Sequence, residues 1–293
     1  MKYFILNINY DGESEVDYWL GERGIAPVFY GQCTLFQIRS GISHNIRPQA
    51  YADAKKFVQT FDEPDENNVV FSIGNEDVYI FKQAGPLQEA EDGRHKNDLV
   101  KFFKIEILRK VKIKDCPLVL VSIKANRYIQ SGTFRDLNDE KYAGNTKALE
   151  YLIRKKIVAV PDYARYLQCL SSLEFETLIA KYLEEKGLFV PAYKGGFLRN
   201  YDLFCRNTGL ADVVLGEIVI KTGGSISVQI KLRLNNDHKN DLEKADLFFC
   251  INSDFEDRKV YDWRYLKSNI IQGGSVDRWL ETSLEWVKIK KID

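Results

Sequence analysis

The segment Ser225–Arg233, SISVQIKLR, alternates strictly between apolar and polar residues. Its apolar positions are Ile226, Val228, Ile230 and Leu232, and its polar positions include Gln229, Lys231 and Arg233. Successive side chains of a strand point to opposite faces, so the pattern predicts a β-strand that is buried on one side. The second half of the chain must therefore contain a sheet, and one face of this strand presents Gln-x-Lys.

A helix is predicted ahead of this strand, in SSLEFETLIAKYLEEKG. Ser171 and Glu174 have the spacing of a capping box, which places the start of the helix there. Apolar residues recur at helical period, at Phe175, Leu178, Ile179, Tyr182 and Leu183. Gly187 stands where a glycine commonly ends a helix.

Short strands are predicted between this helix and the chain end, in LFVPAY, YDLFCRN, EIVIK and SISVQIKLRL. The last two meet at Thr222–Ser225, a sequence typical of a hairpin turn. The polar segment DHKNDLEKA is predicted to be helical, DLFFCIN to be a strand, and SVDRWLETSLEWV to be a closing helix with Val276, Trp279, Leu280, Ser283 and Val287 along one stripe. The resulting order is helix, antiparallel strands, helix, strand.

The first half is rich in strand patterns, with KYFILNIN, a hairpin NVVFSIG–DVYIFKQAG, VKFFKIEILRKVKI and PLVLVSI, followed by a helix in NTKALEYLIRKK. The segment around Pro161 is a candidate linker. We therefore predict an α/β (α+β) protein with an N-terminal mixed, β-rich domain over residues 1–160 and a second domain over residues 165–293. A chain of 293 residues is long enough for two cores.

Composition excludes several classes of protein. The 42 basic and 42 acidic residues balance, so bulk charge does not indicate a nucleic-acid binder, although a local basic cleft remains compatible with it. The cysteines are scattered and three histidines are dispersed, which argues against a disulfide framework or a zinc site. No apolar run suits a membrane span or a signal peptide, and we expect a cytoplasmic protein with reduced thiols.

Four polar residues on three predicted elements suit phosphodiester hydrolysis. That reaction needs a divalent cation to offset charge in the transition state, and it needs an oriented water. Magnesium prefers oxygen ligands, which Asp202 and Gln229 can supply from neighbouring strands. Lys231 shares a face with Gln229 and can orient the water or stabilise the leaving charge, and Glu176 can act from the helix. Each residue taken alone is more simply a solvated surface group, so only the joint arrangement predicts a catalytic site.

The segment from Leu173 to Arg233 resembles the catalytic domain of Mrr-type restriction endonucleases, a branch of the PD-(D/E)xK nuclease superfamily. The matching pieces are LEFETLIAKYLEEKGLFV, KGGFLRNYDLFCRN and SVQIKLR. The resemblance implies a restriction-endonuclease-like αβββαβ fold, Glu176, Asp202, Gln229 and Lys231 as catalytic residues, and Mg²⁺ or Mn²⁺ held by Asp202 and Gln229. Gln in place of the superfamily's Glu is usual for that branch.

Two other carboxylates could bind the metal in place of Asp202. The chain between Asp202 and Gln229 is longer than family members usually have, and it contains Asp212 and Glu217. If the Thr222–Ser225 turn is tight, Glu217 lies almost opposite Ile230. Asp202 is preferred, Glu217 is the second choice and Asp212 the third.

The first half is weakly similar to PUA-like readers of modified bases, such as EVE domains, which would make it a targeting domain. Its most suggestive stretch is Ser122–Asp136, with polar residues suited to phosphate and base-edge contacts. The candidate DNA contacts in it are Asn126, Arg127, Gln130 and Arg135. An ordinary polar loop explains the stretch equally well.

These patterns predict a Mg²⁺-dependent endonuclease of double-stranded DNA that serves restriction or phage defence, with the target chosen by the N-terminal domain. Two alternatives stay open: a ligand-activated RNA nuclease, and a non-catalytic nucleic-acid-binding module that retains the nuclease fold. Because the strands of a duplex are antiparallel, a homodimer is expected. Trp263, Trp279 and Trp286 are candidates for its interface.

Overall fold

The structure is a computed structural model that describes residues 1–10, 13–29, 33–43, 48–91, 99–125, 129, 133–191, 201–236, 242–270 and 273–290. It is a mixed α/β protein with several sheets, which agrees with the predicted α+β class. The chain divides into two compact units, one of Met1–Cys116 with Leu120–Lys155 and one of Pro117–Val119 with Lys156–Asp293.

The α-helices are α1 (Leu35–Arg39), α2 (Pro48–Phe61), α3 (Leu118–Val121), α4 (Ala143–Arg154), α5 (Tyr163–Leu167), α6 (Ser172–Glu185), α7 (Trp263–Ile270) and α8 (Ser275–Ser283). A π-helix spans Asp17–Glu22, and 3₁₀ turns span Ile113–Asp115, Ser122–Ala125 and Glu140–Tyr142. Within the described residues no helix is both long enough and apolar enough to cross a bilayer.

The strands of the first unit are β1 (Lys2–Leu6), β2 (Asn9–Tyr10), β3 (Glu13–Ser14), β4 (Ile25–Val28), β5 (Asn68–Ile73), β6 (Asp77–Gln83), β7 (Gln88–Glu91), β8 (Leu99–Lys112) and β9 (Phe134–Asp136). Those of the second unit are β10 (Val158–Val160), β11 (Leu188–Phe189), β12 (Leu203–Asn207), β13 (Val213–Leu215), β14 (Ile218–Ile220), β15 (Ser225–Leu234), β16 (Leu247–Ser253), β17 (Val260–Tyr261) and β18 (Val287–Ile289).

The first unit is built on one mixed sheet of order β4-β8-β6-β5-β1-β9, with β7 also paired to β8. The predicted hairpin is confirmed, since β5 and β6 pair antiparallel. Helix α2 packs its aromatic residues against this sheet, where the rings of Phe4 and Phe61 are 5.4 Å apart and those of Phe57 and Phe134 are 5.6 Å apart. These contacts form the core of the unit.

Two predictions for the middle of the chain are wrong. Segment 117–123 continues as α3 and a 3₁₀ turn instead of a strand. Pro117 immediately precedes α3, where the missing N–H of a proline does no harm to a helix. The candidate linker around Pro161 is also structured, because Val158–Val160 pairs in parallel with Val287–Ile289 and therefore belongs to the second unit.

The second unit contains a mixed sheet of order β11-β12-β15-β16-β17. Strand β12 runs antiparallel to both of its neighbours, β11 and β15, and strands β15, β16 and β17 run parallel to one another. Helix α6 packs against β11 and β15. Its predicted start is confirmed: the Ser171 side chain accepts from the Glu174 N–H and the Glu174 carboxylate accepts from the Ser171 N–H, as in a capping box. Gly187 ends the helix with φ of 90°.

Three expectations in this unit need correction. The Thr222–Ser225 segment does not join β14 to β15 as a hairpin, because β14 pairs with β13 and β15 pairs with β12. In the described part of DHKNDLEKA, residues 242–244 form a turn, and residues 237–241 lie outside the described chain. The closing helix ends at Ser283, so Val287 lies in β18.

Candidate functional site

Asp202 is fixed beside β15 at the beginning of β12. The register pairs Leu203 with Val228, and the Asp202 N–H donates to the Val228 carbonyl at 2.9 Å. The Ile230 N–H donates to Oδ2 of Asp202 at 2.7 Å. The same register continued by one residue sets Asp202 opposite Gln229. The predicted aspartate and the Q-x-K strand are therefore adjacent.

Lys231 faces the same carboxylate. Its Nζ lies 3.9 Å from Oδ2 of Asp202, at the limit of an ion pair, and the two side chains are 30% and 25% exposed. Such a long, partly solvated pair contributes little to stability. Among the described residues, Oδ1 of Asp202 has no hydrogen-bond partner. As far as the described residues extend, one carboxylate oxygen and the lysine ammonium are therefore available to a ligand.

Gln229 is buried between neighbouring strands. It is only 7% exposed and stands next to Phe248 of β16 in the parallel register. Within the described chain its amide has no hydrogen-bond partner. The amide is not among the buried polar atoms that lack a partner in the described chain, so it reaches the surface of the site. Its oxygen can therefore donate a lone pair to a cation bound beside Asp202.

Glu176 is half-buried on α6. The neighbouring residues Phe175, Leu178 and Ile179 are fully buried and hold α6 on the sheet. Helix α6 contacts β15, the strand that carries Gln229 and Lys231. Glu176 thus comes from an element that touches the site strand.

The alternative carboxylates lie elsewhere. Asp212 is exposed and bound to Lys221 at 2.7 Å, and this lysine holds the pKa of the Asp212 carboxyl below its ordinary value. Glu217 is exposed at the β13–β14 turn, where its N–H donates to the Tyr261 hydroxyl. Because β14 does not pair with β15, the hairpin that would set Glu217 opposite Ile230 does not form.

Asn207 is fully buried at the end of β12 and stabilises the connection between β12 and β15. The sequence patterns do not indicate this role. Its Nδ2 donates to the carbonyls of Ala211 and Ile220, and its Oδ1 accepts from the Gly209 N–H. Its backbone exchanges hydrogen bonds with Gly223 and Gly224. These bonds fold residues 208–224 away from β15, so that β15 pairs directly with β12. A single buried asparagine leaves no periodic signal in a sequence.

The donor set of this site fits magnesium. Asp202 and Gln229 offer oxygen atoms, the ligand type that Mg²⁺ prefers, and each has an oxygen without a protein partner in the described chain. The described residues contain no group of three or more His, Cys, Asp or Glu side chains, which are the sets that hold zinc or calcium tightly. The two residues would hold a magnesium ion that keeps several of its waters.

Of the four predicted DNA contacts in the first unit, Asn126, Arg127 and Gln130 lie outside the described residues. Arg135 is described, and its side chain is 14% exposed. Its Nη1 lies 3.7 Å from Oδ2 of Asp53 and donates to the Phe134 carbonyl. Arg135 thus has protein partners where it stands.

Comparisons with known proteins leave the family open. No protein-family model matches this chain, and neither the curated proteins nor the solved structures give a significant match.

Proposed function

We propose that the second unit is a magnesium-dependent nuclease of the Mrr type, with a restriction-endonuclease-like fold, that hydrolyses phosphodiester bonds of double-stranded DNA. The observation that carries the proposal is the adjacency of Asp202, Gln229 and Lys231 on two paired strands, with Lys231 Nζ 3.9 Å from the Asp202 carboxylate. In its favour, α6 is followed along the chain by β11, β12, β15 and then β16, with the β13–β14 hairpin as an insertion and with a turn at residues 242–244, the described part of the expected second helix.

Asp202 and Gln229 are the residues that would hold Mg²⁺ or Mn²⁺. When bound, the ion acts as a Lewis acid that offsets negative charge on the scissile phosphate. Asp202 keeps its position because Oδ2 accepts from the Ile230 N–H, which leaves Oδ1 as a ligand. The Gln229 side chain makes no hydrogen bond with the described residues, so its amide oxygen can bind the ion without breaking one.

Lys231 is the hydrogen-bond donor of the proposed site. Its ammonium can orient the attacking water or stabilise charge on the leaving oxygen, since it carries three N–H donors on a flexible stem. The partly exposed Lys231 side chain is open to a substrate phosphate. Glu176, on the helix that packs against β15, is the candidate for contact with the ion through water.

The proposed role is restriction of foreign or modified DNA, with the first unit choosing the target. Purified protein is incubated with plasmids of defined methylation status and with a structured RNA, each in Mg²⁺ and in EDTA. Nicking or linearisation of at least one plasmid in Mg²⁺ alone supports the proposal. Cleavage of RNA but of no plasmid would identify an RNA nuclease instead.

A non-catalytic nucleic-acid-binding module is the second candidate. It is favoured by one observation, that Asp202 and Gln229 together bring a single negative charge to a divalent cation, which favours weak binding of that cation. DNA affinity that is unchanged by Mg²⁺, together with no cleavage of any substrate, would establish it.

A further inference from the structure

A cleft in the first unit follows a free edge of β8. Strand β7 pairs with β8 over Leu99–Phe102, and β4 pairs with it over Lys101–Lys104. Among the described strands, residues 107–112 of β8 pair only with β6, so their other edge is open. A cleft with a volume of about 720 Å³ runs along these residues and the end of α4. That volume is in the range of sites for small molecules.

The charge of the cleft is positive. Arg109, Lys110, Lys112 and Lys155 line it, and Asp115 is the acidic residue among the described lining. Lys110 and Lys112 also contact Asp77, and Lys112 contacts Glu76. Even when both of these carboxylates are counted with the cleft, the cations exceed the anions. Lys155 and Arg109 are the cations that these acids do not neutralise.

Arg109 has unused hydrogen-bonding capacity. Its Nη2 donates to the Ile153 carbonyl at 3.4 Å, a long bond. Its Nε is buried and has no partner among the described residues. Its Nη1 makes no hydrogen bond with the described residues and is not among the buried unpartnered atoms, so it can donate charge-assisted hydrogen bonds to a phosphate in the cleft.

The rest of the cleft wall is apolar and aromatic. Ile107 and Val111 come from β8, and Tyr151 and Leu152 come from α4. Ile107 is 43% exposed, so it offers apolar surface to the cleft. A ligand that fits this wall needs a planar or apolar part next to its anionic group.

We propose that this cleft binds a nucleoside phosphate, with the phosphate at Arg109 and Lys155 and the base against Tyr151 and Leu152. The ligand is either a free nucleotide or one nucleotide of a nucleic-acid strand, since both present the same chemistry. The proposal concerns only residues of the first unit, and it does not depend on nuclease activity of the second.

A substitution at Lys155 can test ligand binding without an expected loss of stability. It ends α4 with φ of 54°, and it is the one residue other than glycine with positive φ in the described chain. Glycine adopts this conformation without strain, so Lys155→Gly removes the charge and should leave the thermal midpoint unchanged or higher. Lys156→Ala is the matched control, because Lys156 is the next residue and is absent from the cleft wall.

Isothermal titration calorimetry on the full chain uses five kinds of probe: the four 5′-nucleoside monophosphates, a 5′-phosphorylated hexathymidylate, inorganic phosphate, ribose and hexaglutamate. A nucleotide or the oligonucleotide should bind more tightly than inorganic phosphate. Lys155→Gly and Arg109→Gln should each raise Kd about tenfold, the loss expected for one charge-assisted contact, and Lys156→Ala should change it less than about twofold.

The mononucleotide and oligonucleotide probes distinguish a free nucleotide from a strand of nucleic acid as the ligand. Binding of mononucleotides identifies a free nucleotide as sufficient, and binding of the oligonucleotide alone identifies a strand of nucleic acid. The proposal is overturned if no nucleotide probe binds, if inorganic phosphate binds as tightly as the nucleotides, or if both variants bind like wild type. Binding of hexaglutamate without nucleotide binding would also overturn it and would indicate an acidic protein partner at the open strand edge.

Discussion

Asp202 and Lys231 face each other across two paired strands, with Lys231 Nζ 3.9 Å from Oδ2 of Asp202. The same oxygen accepts the Ile230 N–H, so the strand that presents the lysine also holds the aspartate in place. The position of this carboxylate therefore depends on the pairing of β12 with β15 and not on the ion pair alone.

We expect two substitutions to distinguish the proposed metal binding by Asp202 from its hydrogen bond with the Ile230 N–H. Asp202→Asn keeps an oxygen that can accept the Ile230 N–H, so the protein should fold normally but lose Mg²⁺-dependent cleavage. Asp202→Ala also loses that hydrogen bond and should lower the free energy of unfolding by about 1–2 kcal/mol. Thermal unfolding and plasmid cleavage measure the two effects. Equal stability of the Asn and Ala variants would show that the bond to Ile230 contributes nothing.

The strand and the helix of the site were predictable because each has a strong local signal. Ser225–Leu234 alternates over its full length, and α6 begins at a capping box whose two hydrogen bonds both form. The capping box is satisfied by residues within one turn of the chain, and the alternation of a strand is visible in neighbouring residues whatever element later covers its apolar face. The adjacency of Asp202 to β15 is a hypothesis that the sequence supports only through the chemistry of the site and a resemblance to a family, since strand pairing depends on residues far apart in the chain.

Glu174 should make the stability of the second unit depend on pH. Burial is the main cause that raises the pKa of its carboxyl above the ordinary value, against the hydrogen bonds from Ser171 that lower it. A raised pKa in the folded state means that this contribution to stability is complete below pH 4.5 and is lost as pH rises through the folded pKa. The carboxyl group therefore stabilises the fold less at neutral pH than in acid.

Glu174→Gln tests this dependence, since glutamine keeps an acceptor for the Ser171 N–H but does not ionise. The free energy of unfolding of wild type relative to this variant should fall as pH rises above 4.5 and then level off. Glu184→Gln, on the same helix, is the control. A difference between wild type and Glu174→Gln that is constant from pH 4 to pH 7 would refute the role of burial.

The β13–β14 hairpin is tied to the sheet by the Tyr261 hydroxyl. This group donates to the Leu215 carbonyl and accepts from the Glu217 N–H at 3.3 Å. Tyr261→Phe leaves both backbone groups without this partner, and we expect a loss of about 1–2 kcal/mol in the free energy of unfolding. Urea denaturation measures it, with Tyr201→Phe as the matched control because the Tyr201 ring contacts Phe204 and its hydroxyl makes no hydrogen bond with the described residues.

This hairpin is also where the sequence misleads. Thr222-Gly223-Gly224-Ser225 is a good turn sequence, but the hydrogen bonds of Gly223 and Gly224 go to Asn207. Two competing pairings, β14 with β15 or β12 with β15, bury similar apolar strands, and the periodicity of each strand is the same in both. In the observed connection the buried Asn207 side chain makes three hydrogen bonds, with Gly209, Ala211 and Ile220, which stabilise it.

A homodimer is the expected assembly on duplex DNA, because two sites of opposite sense cut two antiparallel strands. Of the tryptophans considered for the interface, Trp286 is 5% exposed and packs within its own chain, while Trp263 and Trp279 are half-buried. Light scattering should give twice the chain mass for the DNA complex. A monomer in the free and bound states that still makes double-strand breaks in one binding event would contradict this assembly.

Cleavage by Lys231→Ala tests the account most directly, with Arg233→Ala as the control. Arg233 lies two residues further along β15, is exposed and contacts Asp254 at 3.6 Å, so its removal takes an equal charge from the same strand. With a susceptible plasmid and Mg²⁺, wild type and Arg233→Ala should cut at similar rates, and Lys231→Ala should show a loss of at least about a hundredfold at unchanged thermal stability. Cleavage by Lys231→Ala at the wild-type rate would contradict the assignment of the Gln229–Lys231 strand as the active site.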